Sequence, residues 1–232
     1  MGGNRAYRDS IFTSYFKDEG RLLEMYNAIS GKNYGRVTEV RINTLENVLF
    51  RDRINDLSFL LGEKLIVLIE AQTSLNANMP LRLLLYIARL YEKMVENAAM
   101  YRRKLVKIPK PEFIVLYNGN EDCPDKKTLR LSNAFEDADV PNLLELVVTV
   151  YNVNPGHSPE ILEHSRSLRD YAVFTAKVRE CKAAGMTLDE SIEKAINYCE
   201  KCDIMSAYLA AHGSGVMNML LTEWDFDQYI KI

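Results

Sequence analysis

Hydrophobic positions divide this chain into an opening helical stretch, a central part of short apolar runs interrupted by one long helix, and a helical final third. Residues 9–29 carry Phe12, Tyr15, Phe16, Leu22, Leu23, Tyr26 and Ile29 at spacings suited to one or two short helices, closed by Gly31. Residues 37–42, 54–61 and 65–71 are apolar runs of strand length, the last two joined at Gly62 and Glu63. A long amphipathic helix follows, with Asn78 as its N-cap, Pro80 in the first turn where a missing N–H costs nothing, and continuation to about Arg103. Residues 113–117 read as a buried strand ended by Asn118 and Gly119. Residues 120–142 are polar and predict no element, and 143–153 read as one more strand before Asn154, Pro155 and Gly156.

Beyond Glu160 the pattern is helical throughout. One helix is expected over 161–184, stopped by Gly185, and a second opens with Thr187 and Glu190 as a capping box. Shorter helices are expected over 204–211 and 215–223. The order of elements predicts an α/β core over residues 1–156 with a C-terminal helical extension over 157–232.

Composition narrows the function class. With 47% hydrophobic and 26% charged residues, the chain is suited to a packed core. Residues 1–10 hold no apolar stretch of signal-peptide length and no later run has the length of a bilayer crossing, so a cytoplasmic protein with no membrane partner is expected. The net charge of −3 argues against coating nucleic acid by bulk positive charge. The charge is uneven, however: residues 160–232 hold 8 Lys and Arg against 12 Asp and Glu, and residues 1–159 hold 21 against 20. Any nucleic-acid contact therefore belongs to the first part, where Arg102, Arg103, Lys104, Lys107 and Lys110 form a basic run. A solvated helix end explains that run equally well. Cys199 and Cys202 form a C-x-x-C within a helical pattern, and with His212 the nearest further ligand they read as reduced structural thiols.

Two features stand out chemically: Asp56 at the front of a strand, and Glu70-Ala71-Gln72 at the end of another. A carboxylate at the end of a buried strand must be solvated, paired or metal-bound, because burying it alone is prohibitively costly. In a hairpin, a loop of three or five residues centred on Glu63 sets Asp56 opposite Glu70 on one face, with Cβ atoms roughly 4.5–5.5 Å apart. A two-residue loop pairs Asp56 with Ile69 instead and puts the acids on opposite faces. In the first register one hard divalent cation could bridge both acids, with the Ala71 carbonyl completing its shell and Gln72 on the Glu70 face. Such an oxygen-rich site suits Mg²⁺ or Mn²⁺. On the long helix Arg82, Tyr86, Arg89 and Lys93 share a face by spacing. Arg82 is read as a phosphate contact and Tyr86 as a support for site or substrate, against the plainer reading of a solvated face with a partly buried tyrosine.

Asp56, thirteen residues, Glu70-x-Gln72 and then Arg82-x-x-x-Tyr86 resemble the PD-(D/E)XK nuclease superfamily, specifically the bacterial recombination-promoting nuclease (Rpn) and putative transposase family. Asp9-x-x-Phe12, Tyr198-Cys199 and Leu220-Leu-Thr-Glu223 fit the same pattern, so the resemblance covers nearly the whole chain. It implies a restriction-endonuclease-like core, a mixed central sheet flanked by helices, and Mg²⁺-dependent DNA endonuclease chemistry with Asp56 and Glu70 as metal ligands. Gln72 stands where the superfamily usually has lysine, as expected in this branch. It can orient a water by hydrogen bonding but offers no charge. A further acid from the N-terminal helices often joins such sites, which makes Asp9, Glu19 and Glu24 accessory candidates. The leading expectation is a metal-dependent DNA endonuclease linked to recombination or mobile elements. The alternatives are a catalytically inactive DNA-binding or assembly module on the same fold, and a purely structural core whose Glu70 is tied up by an arginine. Cutting two strands with one site per chain suggests a homodimer as a hypothesis.

Overall fold

Strand β3, Leu65–Gln72, is apolar from Leu65 to Ile69 and buried from Leu65 to Ala71, the pattern of a strand covered on both faces. It is a central strand of the sheet. The computed structural model describes residues 10–35, 39–42, 56–62, 65–136 and 143–229. Among these, β1 (Val40–Ile42), β2 (Asp56–Leu61), β3, β4 (Lys110–Tyr117), β5 (Lys126–Arg130) and β6 (Val147–Asn152) form one mixed sheet in the order β1-β2-β3-β4-β6-β5. β1, β2 and β3 are antiparallel neighbours; β3, β4 and β6 run parallel; β5 returns antiparallel along the edge. The chain is thus α/β.

The β2–β3 register is the one that brings the two acids together. Leu61 pairs with Leu65, which leaves the three-residue connection 62–64, and Asp56 pairs with Glu70. Gly62 takes φ +57°, the left-handed conformation such a turn requires and glycine supplies without strain.

Helix α3, Met79–Met94, crosses between the parallel strands β3 and β4. Its Leu83, Tyr86, Ile87 and Leu90 pack with Ile66 and Leu68 of β3, Phe113, Val115 and Tyr117 of β4, and Val148 and Val150 of β6. The helix ends at Met94 instead of continuing to about Arg103, and Val95 is extended. The end coincides with a loss of burial: Met94 is 43% exposed and Met100 and Tyr101 beyond it are exposed, so the chain past Met94 carries no buried apolar face to hold a helix. A short 3₁₀ turn, Asn97–Tyr101, follows, and Arg102, Arg103, Lys104 and Lys107 lie exposed in irregular chain beyond it, not at a helix end.

The described residues divide into two compact units, and the sheet with α3 is one, drawn from 34–51 and 56–152. The other, drawn from 1–33 and 153–232, is helical: α1 (Ile11–Phe16), α2 (Glu19–Ser30), α4 (Pro159–His164), α5 (Arg166–Ala183), α6 (Leu188–Lys201) and α7 (Ser206–Tyr229). The rings of Phe12, Phe16 and Tyr171 cluster at its centre, with Tyr15 edge-on to Tyr208. The expected capping box is present, Thr187 and Glu190 exchanging hydrogen bonds, and Gly31 and Gly185 both take positive φ at helix ends. The helix expected over 161–184 is two, because Ser165 turns extended and its hydroxyl caps the new helix at Leu168. The two short helices expected over 204–223 are one, α7. Among the described residues no helix is long and apolar enough to cross a membrane.

Candidate functional site

The carboxyl ends of β3 and β4 are held side by side. The Asn118 amide donates to the Gln72 carbonyl at 2.9 Å, and Gly119 approaches Thr73 so closely that an added Cβ would stand 1.8 Å from the Thr73 carbonyl oxygen. Only glycine fits there. The Gln72 carbonyl points at β4, and so, two residues back, do the backbone groups of Glu70, while those of Ala71 point towards β2. Glu70 and Asp56 therefore form the non-hydrogen-bonded kind of antiparallel pair, whose Cα atoms approach to about 4.5 Å. The Asp56 side chain lies outside the described residues. So does Asp9, the N-terminal accessory candidate.

Glu70 is 5% exposed. One of its oxygens, Oε1, accepts from Gln72 Nε2 at 2.8 Å and from Arg82 Nη2 at 2.8 Å, the latter an ion pair. The other oxygen, Oε2, is buried and has no hydrogen-bond partner among the described residues. A buried carboxylate oxygen left unmet is expensive, of order 1–3 kcal/mol or more for a charged group, which makes Oε2 an open position for a cation or a hydrogen-bond donor. Met79, fully buried in the first turn of α3, ties the cluster together: its sulfur accepts from Gln72 Nε2 at 2.9 Å and from Arg82 Nη1 at 3.3 Å. With the Gln72 nitrogen engaged by two acceptors, its amide oxygen is the end left to accept a hydrogen bond from water or substrate.

The structure thus brings Glu70, Ala71, Gln72 and Arg82 together and sets Asp56 opposite them in register. Tyr86 is elsewhere. At 4% exposure it packs in the apolar core with Leu83, Ile87 and Leu90, a position that supports α3 from beneath and offers no surface to a substrate. Arg89 is half-buried and Lys93 exposed. Glu24 belongs to the helical unit, where its carboxylate accepts from the backbone amides of Arg166 and Ser167 and from the Ser167 hydroxyl at 2.9 Å, which commits it to the start of α5. Glu19 is exposed in the first turn of α2. Cys199 is buried, which pushes its thiol up to about 12; Cys202 is exposed, and the four cysteines are free thiols.

Sequence reasoning missed Met79 and Ser58. Ser58, two residues along β2 from Asp56, is buried with its hydroxyl unmet among the described residues. Its signal was present in the alternation of β2, which puts it in phase with Asp56. Among the described residues there is no group of three or more His, Cys, Asp or Glu side chains placed to hold a metal, a set that leaves Asp56 out.

Comparison with known protein families, curated sequences and solved structures gives no match.

The residues present fit a hard divalent cation in three respects: the unmet Glu70 Oε2, a second acid in the facing register position, and a backbone carbonyl, that of Ala71, turned to the same side. All are oxygen donors.

Proposed function

We propose that this chain is a metal-dependent DNA endonuclease with a PD-(D/E)XK-like core, cutting phosphodiester bonds in recombination or on mobile elements. The buried Glu70 carboxylate carries this reading, with one oxygen clamped and one unmet, at the strand ends and facing the position of Asp56. Asp56, Glu70 and the Ala71 carbonyl would hold Mg²⁺ or Mn²⁺. When bound, such an ion supplies positive charge beside a scissile phosphate and lowers the pKa of a water. The chain's own groups do the rest. Gln72 and Arg82 fix the Glu70 carboxylate so that Oε2 is presented, and the Gln72 amide oxygen orients a water by accepting its proton in a hydrogen bond. Arg82 uses two of its five N–H groups on Glu70 and Met79, which leaves donors for a phosphate oxygen. A cytoplasmic setting and a homodimer that cuts both strands belong to the same reading; light scattering that finds a monomer with and without DNA removes the dimer.

One observation favours a second reading. The Arg82–Glu70 ion pair already neutralises the acid without a metal, as a purely structural core whose Glu70 is tied up by an arginine would do. A plasmid-nicking assay separates the two. Wild type and Glu70→Ala, both shown folded by circular dichroism, are compared in Mg²⁺, Mn²⁺, Ca²⁺ and EDTA. Cleavage by wild type alone, lost in EDTA, is the expected result. No cutting even in Mn²⁺ favours the structural core, or the inactive module where DNA is still bound, and equal cutting by both proteins exposes a contaminant.

A further inference from the structure

The sheet carries the site further than the three-residue motif. Pairing continues in a straight row from Asp56 to Glu70, to Val115 of β4, to Val150 of β6, and ends at Lys127 on the edge strand β5. Above the two valines, between the acid and the lysine, lies a pocket of about 90 Å³. Leu75, Ala77 and Leu129 form its accessible apolar walls above the buried Val115 and Val150, and Gln72, Asn76 and Lys127 supply its polar side chains. Gln72 thus belongs at once to the Glu70 cluster and to the pocket. Three inter-strand steps separate the Cα atoms of Glu70 and Lys127, about 14 Å. The flexible stem of the lysine shortens the gap to its ammonium. Lys127 is exposed and no carboxylate pairs with it among the described residues. Its neighbour Lys126 sits instead over the ring of Tyr151, 5.5 Å from the centroid.

An apolar floor with a cation and amides around it matches one repeating unit of a nucleic-acid strand, whose sugar is largely apolar and whose phosphate is an anion. We propose that this pocket is a subsite for the nucleotide next to the scissile bond, with the sugar against Leu75 and Leu129 and the adjoining backbone phosphate on Lys127. The inference rests on the nuclease reading, since it assumes that a strand crosses Gln72. It adds a phosphate contact on the side of the site away from Asp56, which the edge position of β5 leaves open to a polymer passing across the sheet.

Binding tests it without any cleavage. Fluorescence anisotropy of labelled duplex DNA is measured with the full chain in EDTA and again in Ca²⁺, across a range of salt. The proteins compared are wild type, Lys127→Gln, Lys127→Arg and, as a charge-matched control on the same strand, Lys126→Gln. Loss of one phosphate contact lowers the slope of log affinity against log salt by about 0.9, which corresponds to roughly eightfold weaker binding at about 0.1 M salt. Lys127→Gln is expected to show both changes, Lys127→Arg to stay near wild type, and Lys126→Gln to be unchanged. Wild-type affinity and slope in Lys127→Gln overturn the subsite while leaving the nuclease reading intact. An equal loss in Lys126→Gln overturns it as well, since general charge would then account for the effect. A wild type that binds no DNA in either condition overturns the nuclease reading and the subsite with it.

Discussion

Glu24 and Glu70 meet their charge in different ways. Glu24 spends both oxygens on the start of α5, where free amides and the positive end of the helix dipole favour an anion. Its role is to cap a helix from outside that helix. Glu24→Ala should therefore cost about 1 kcal/mol, the usual loss for a helix cap, and lower the melting temperature by about 2–4 °C. DNA cleavage measured at a temperature where both proteins are folded should be unchanged; a loss of cutting in a folded variant would return Glu24 to the site. Glu70 keeps one oxygen without a partner among the described residues, and the proposed metal site turns on that difference. Glu70, Gln72 and Arg82 were legible because charged and amide groups at the end of an apolar strand, and an arginine one helical turn into the next element, break the hydrophobic pattern. Met79 and Lys127 were not. A methionine in an amphipathic helix reads as core, and a lysine in a polar stretch reads as surface, until the register shows what each one borders.

At the scale of elements, the site depends on two contacts between strand ends, and the closer is at Gly119. An alanine there would drive its Cβ into the Thr73 carbonyl, a backbone atom that cannot swing aside as a side chain can. Gly119→Ala should destabilise by about 1–3 kcal/mol, the range for overpacking, and lower the denaturant midpoint with the slope unchanged. A variant as stable as wild type would mean that β3 and β4 are not joined this closely. The apolar strands and most helices could be read from periodicity alone because their burial is one-sided or complete. β5 could not: Lys-Lys-Thr-Leu-Arg has Leu129 as its one apolar residue, since an edge strand needs little burial and is served by charges that discourage further pairing. The break at Ser165 and the early end of α3 were hidden for a related reason, as both depend on what lies against the helix and not on its own propensity.

For the whole molecule, stability against pH and affinity for metal each report on one of the two units. In the helical unit Tyr15 is pushed up to about 12 by burial, against the pull of Arg21, and Cys199 to about 12 by burial. Unfolded, they ionise near 10.0 and 9.0. The folded chain holds these protons longer, so their contribution is complete below the unfolded values and is lost as pH rises from about 9 towards about 12. The denaturant midpoint should fall through that window, and Cys199→Ala and Tyr15→Phe should each flatten the fall; a midpoint independent of pH above 9 would contradict the burial of both groups. In the sheet unit the central claim is a divalent cation shared by Asp56 and Glu70, and calorimetric titration of Mn²⁺ into metal-stripped protein reads it directly. Wild type should bind in a saturable step that is lost in both Asp56→Asn and Glu70→Gln while their folds persist. Binding that survives in Glu70→Gln, or no binding by wild type at all, would contradict the account and leave the Arg82–Glu70 pair as a structural feature of the core.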